Sequence, residues 1–167
     1  MRMPGLADAI NREADWLRTH GDELPALLKE HGGPFEVVQG RSMRSPNTRK
    51  QALYLTHATY SDSRWGNARK LGTYSFRLAV HWPVGSTVTS IDIAEREQQA
   101  LDEALELVVA RIRGLMGDHT HGGRFLAVAE APVDSTINVQ YEPPEKTLPE
   151  GVLRAEVLYQ AQDQAFI

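Results

Sequence analysis

The sequence predicts an α+β fold in a single domain spanning 1–167. The expected core is a mainly antiparallel sheet of about five to six strands, with an N-terminal helix and one long helix packed on one face. Three observations predict this. The stretch "TYSFRLAVHW" alternates strictly, so Tyr74, Phe76, Leu78, Val80 and Trp82 share one face while Thr73, Ser75, Arg77, Ala79 and His81 share the other. Leu101, Leu105, Val108, Ile112 and Leu115 recur at steps of three or four, the stripe of an amphipathic helix. The element order is helix, three strands, long helix, three strands, which lacks the strand–helix alternation of a doubly wound parallel sheet.

Taken in order, 4–30 reads as helix, with Ile10, Ala14 and Leu17 at helical spacing and Leu6 and Trp16 near the same face. Pro25 begins a short second piece, which Gly32 and Gly33 end. "PFEVVQG" is a short strand, and 50–60 a second. The polar run "DSRWGNARK" connects it to the alternating strand, which Pro83 and Gly85 close. The long helix covers 92–116, opened by Asp92 and Glu95 in a capping box and stopped by Gly117. After "GDHTHGG", strands are expected in "RFLAVAEA", in "TINVQYE" (Ile137, Val139 and Tyr141 alternating) and in "VLRAEVLYQAQ", where Leu153, Ala155, Val157 and Tyr159 point inward.

A chain of 167 residues can bury roughly 70% of its unfolded surface in one core. No apolar run approaches the roughly 20 residues of a membrane-spanning helix, so no membrane partner is expected. The amphipathic start "MRMPGLADAINREADW" meets acids early, unlike a secretory signal. With no cysteine, disulfides, thiolate catalysis and cysteine-ligated zinc are excluded. The net charge of −4 hides a lopsided map: residues 39–70 carry seven basic and one acidic side chains, residues 117–167 three basic and eight acidic.

Catalytic signals are weak. His119 and His121 could be two ligands, but His-x-His needs a third donor and only Asp118 is near, so a solvated loop is expected and no metal. His57 and His81 sit in strands without a readable partner or pocket. "GRSMRS" lacks the spacing of a nucleophile elbow, and no dinucleotide or phosphate-loop pattern occurs. The chain is therefore read as non-enzymatic, with no cofactor. Trp82 belongs to the core, and Trp16 covers the sheet or a neighbouring subunit. Trp65, in a polar connection, is a loop anchor or an interface contact.

The segment "GRSMRSPNTRK" at 40–50, part of an extended basic loop at about 39–50, gathers Arg41, Arg44, Arg49 and Lys50 without an acid. It is a solvated loop, a phosphate contact, or a pairing surface for the acidic C-terminal part of a neighbouring copy. It lacks the aromatics of single-strand stacking, and overall acidity argues against a free-standing DNA-binding domain.

The element order resembles the tail terminator proteins of long non-contractile-tailed bacteriophages, and more broadly their neck and tail-completion proteins. Four stretches carry the resemblance across nearly the whole chain. They are the N-terminal helix before a short strand, "ALYLTHATYSDSRWGNARKLGTYSFRLAVHW", "DIAEREQQALDEALELVVARIRGLM" and "GVLRAEVLYQAQDQAFI". The "TYSDSR" connection looks most like versions from phages of actinobacteria. The resemblance implies a structural virion protein of the tail or neck, assembled in the host cytoplasm. Such a protein forms a homo-hexameric ring that caps the tail-tube protein, stops tube polymerisation and meets the head-side connector, with genomic DNA passing the channel. Arg41, Arg44, Arg49, Lys50, Arg64 and Trp65 then become subunit-interface or channel candidates. One alternative is a connector between portal and tail. Another is a small-molecule-binding domain or enzyme using His57, His81 and Arg77.

Overall fold

A computed structural model describes residues 6–19, 21, 23–41, 50–64, 66, 69–84, 91–114 and 118–166. Among these, α1 (Leu6–Arg18) precedes β1 (Val37–Gly40), β2 (Ala52–Arg64) and β3 (Arg69–Pro83). Then follow α2 (Ile91–Arg113), β4 (Ala127–Val128), β5 (Asn138–Tyr141), a short α3 (Pro144–Thr147) and β6 (Val152–Phe166). The fold is α+β, as the sequence predicts. Its six-stranded sheet runs β1-β2-β3-β6-β4, with β5 also paired to β6.

The sheet is mixed: β1 lies parallel to β2, while every other pairing is antiparallel. The pairing is parallel because β2 begins, at Ala52, beside the start of β1 at Val37, and both run on together to Gly40 and Leu55. Both long helices lie on the Phe76 side. Ile10, Ala14 and Leu17 of α1 and Leu101, Leu105, Val108 and Ile112 of α2 share one core with Phe76, Leu78, Val80, Val157 and Tyr159. Leu115 and Gly117 lie outside the described residues.

Several expected boundaries shift, each for a physical reason. The N-terminal helix stops at Arg18, where Arg111 of α2 donates to the Trp16 and Thr19 carbonyls and so fixes the helix end. The second piece is only a 3₁₀ turn, Lys29–His31, starting past Pro25. Gly32 ends it at φ 92°, and a Cβ on Gly33 would stand 2.3 Å from the Leu27 carbonyl carbon, so only glycine fits there. Asp92 lies inside the first turn of α2, complementing its positive end, and is not its cap. Gly114, at φ 72°, follows the last turn of α2 and donates to the Ala110 carbonyl.

"RFLAVAEA" yields only the two residues of β4, because Phe125 is tied by its amide to Thr120 and Ala129 turns left-handed at φ 49°. β2 and β3 run further than expected, to the pairs Ser63↔Leu71 and Arg64↔Lys70. Backbone pairing continues there although, apart from Leu71, these side chains are polar.

Candidate functional site

The described members of the basic set do not form one patch. Arg41 extends the β1–β2 ladder, its amide donating to Leu55 at 3.0 Å, with the backbone left-handed at φ 57°. Lys50 is exposed at the opposite end of that pairing, just before β2. Arg64 is exposed at the far tip of β2, opposite Lys70. At strand rise, Lys50 and Arg64 stand about 45 Å apart along the sheet. Arg44, Arg49 and Trp65 lie outside the described residues. Lys70 is balanced by Asp62 at 3.1 Å, and that contact raises the ammonium above its usual range.

The tip holding Arg64 belongs to a ribbon that outruns the core. β3 stays paired with β6 as far as Arg69↔Phe166 and with β2 as far as Arg64↔Lys70, yet no residue of β2 beyond Leu55 is buried. A register shift between His57 and Thr59 marks where β2 leaves the core. On this ribbon Tyr60 donates to Asp62 at 3.1 Å, and Gly72 leaves room for the Tyr60 ring.

The strand residues expected of a small-molecule site do not converge. His57 stacks on the helix side against Tyr74 and Phe76, at 6.0 and 5.8 Å. Arg77 is on the other face, 3.7 Å from Glu156, and His81 lies four residues further along that face, opposite Arg154.

The "HTH" loop corrects the expectation of solvated histidines, because His121 is fully buried. Asp118 organises the loop by accepting from the Thr120 hydroxyl and amide, at 2.7 and 3.0 Å, which holds its carboxyl below the usual range. His121, Gly122 and Gly123 then follow with φ 53°, 67° and 81°, turning the ring inward.

There Nδ1 meets Glu13, itself fully buried, at 2.8 Å, and Nε2 meets the Ile112 carbonyl at 2.7 Å. A carbonyl only accepts, so Nε2 carries a proton, and a second proton lies between Nδ1 and Glu13. The pair is imidazolium–carboxylate or imidazole–carboxylic acid, neutral overall either way.

Trp16 stacks on His121 with ring centroids 4.7 Å apart, and its indole donates to the Arg111 carbonyl at 3.2 Å. The buried Arg111 guanidinium lies 4.5 Å from the Trp16 ring. Burial pushes the Tyr159 phenol well above its usual range, with Glu13 beside it adding to the effect. Sequence reading missed this cluster because Glu13 and His121 are 108 positions apart. It joins α1, the end of α2 and the loop, and its closure to solvent suits a structural role.

Depressions open at the surface among the described residues. One, of about 240 Å³, lies among Thr59, Ser75, Thr136, Asn138 and Gln160. Another, of about 420 Å³, runs between α2 and β5 along Asp102, Leu105, Glu106, Val109, Val139 and Tyr141. Among the described residues no group of three or more His, Asp or Glu could hold a metal, and no helix is long and apolar enough to cross a membrane. No protein-family model matches the chain, and no curated protein sequence matches it significantly.

Proposed function

We propose that this protein is a structural, non-catalytic component of a phage tail or neck, acting as a tail terminator. Copies assemble into a hexameric ring that caps the tail tube, halts its polymerisation and presents a surface to the head-side connector. The observation that carries this is the outer part of β2, which stays paired with β3 past the shift at His57 and Thr59 although none of its residues beyond Leu55 is buried, and whose other edge is paired to no described strand there. An open edge of that length is suited to receiving another subunit. The separation of a basic segment from an acidic one supports a head-to-tail contact that fixes orientation.

Light scattering and negative-stain imaging, with and without tail-tube protein, test the proposal. Rings formed alone or on tube ends are expected. Rings that bind portal-bearing heads and ignore tubes would move the protein to the connector. A monomer indifferent to both would remove the proposal. Reversing the charge of Arg41, Arg44 and Arg49 together is expected to abolish rings while leaving the circular dichroism and melting temperature of the monomer unchanged.

A further inference from the structure

The groove between α2 and β5 has a composition that the core does not require. Leu105, Val109 and Val139 give it an apolar floor, while Asp102 and Glu106 on α2 and Tyr141 on β5 line it. Asp102, Glu106 and Val109 succeed one another at i, i+4 and i+7, so they form one stripe along the helix. The next stripe, Glu103, Leu107 and Ala110, is exposed. None of the six lining residues is basic. Tyr141 is 47% exposed, and its hydroxyl donates to Asp102 at 2.7 Å. Partial burial, then the bond to Asp102 and the charges of Asp102 and Glu106, push its phenol up to about 12, which marks the groove as electronegative. A volume of about 420 Å³ suits a few side chains.

The occupant follows from the topology. β1, which leads into the basic segment, and β5 lie at opposite edges of the sheet, separated by β2, β3 and β6. Four strand spacings place them about 19 Å apart, with the helices packed over one face. Arg41 and Lys50, which bracket residues 42–49, therefore stand at the β1–β2 side of the sheet, across it from the groove. Two complementary surfaces on opposite edges are what a head-to-tail contact between copies uses, and such contacts close into a ring when the rotation allows.

We propose that the α2–β5 groove receives the basic segment 41–50 of a second copy. Arg44 pairs with Glu106 and Asp102, and Met43 lies on the floor of Leu105, Val109 and Val139. An arginine suits this groove because its planar fork matches carboxylates, and its flat face packs on a tyrosine ring. The docking rests on the ring assembly proposed above and adds to it a contact between the basic segment and the groove.

The absence of cysteine from the chain makes a direct test possible. In the full-length double variant Arg44→Cys/Glu106→Cys, mild oxidation of assembled protein is expected to give a ladder of covalent oligomers on a non-reducing gel. Neither single variant should give one. A disulfide closed within one chain would overturn docking to a second copy.

Separately, Glu106→Lys is expected to raise the concentration for half-assembly about tenfold, and adding Arg44→Glu in the same chain to restore it to within about twofold. Rings that form normally, with no cross-link and no effect of Glu106→Lys, would overturn this docking and leave the ring itself standing. Rings that survive Glu106→Lys but no longer bind tubes would assign the groove to the tube protein and also overturn it. A wild-type chain that forms no ring under any condition would overturn the assembly on which it rests.

Discussion

His121 is held left-handed in the backbone, with its ring enclosed between Glu13 and the Ile112 carbonyl and stacked on Trp16. Removing one partner leaves the other buried without compensation, the costly case for an ion pair or charged hydrogen bond. His121→Ala is expected to cost about 3 kcal/mol, and for a chain of this size that lowers the melting temperature by about 6–12 °C. The paired change Glu13→Leu/His121→Leu should cost less than the two single changes together, measured by denaturant unfolding. Tyr159 and Tyr74 supply a pH dependence. Burial raises Tyr159 well above its usual range and Tyr74 to about 12. Above pH 10 the unfolded chain loses these protons while the folded chain keeps them, so stability falls as pH rises, by about 1.4 kcal/mol per pH unit for each group. Tyr159→Phe should remove one group's share of that decline. At this scale the sequence showed the "HTH" loop but not its burial, because nothing local marks a histidine for a glutamate on the first helix.

At the scale of elements, legibility tracked the core. The alternating residues from Tyr74 to Trp82 and from Leu153 to Tyr159 point inward as predicted, because they share one core with the apolar faces of α1 and α2. The ends of β2 and β3 were not legible, since from Ser61↔Thr73 to Arg64↔Lys70 the ladder is held by backbone bonds among mostly polar side chains that carry no period. The parallel β1 was also hidden, because four residues with one buried valine look the same in either direction. The contrast between core and ribbon makes a prediction. Amides of 59–64 should exchange with deuterium much faster than those of 74–82 in free protein, by at least about a hundredfold, since little buried apolar surface holds the ribbon closed. In assembled rings the same amides should slow markedly.

At the scale of the whole molecule, the opposed charges of residues 39–70 and 117–167 lie far apart in sequence, and the sheet order carries β1 and β5 to opposite edges. The charge map was plain in the sequence. The strand order that gives it a direction was not, because which strand lies beside β6 depends on pairings between distant segments. Ring assembly should weaken as salt rises from about 0.05 to 0.5 M, where the screening length shortens several-fold, and sedimentation velocity reads this directly. Salt-independent rings would place the contact energy in apolar surface instead.

The strand β6 has a further consequence, in time. It pairs with β3 along fifteen residues and, among the described residues, is the one sheet partner of both β4 and β5, yet it is made after all of them. During synthesis β4 and β5 emerge with no strand to join, and β3 keeps one side open until residues 152–166 leave the ribosome. The sheet is then completed in one late step dominated by long-range pairing, a slow kind of folding that leaves strand edges uncovered meanwhile. Overcrowded synthesis would thus expose the nascent chain to mispairing with its neighbours before it can form ordered contacts with them.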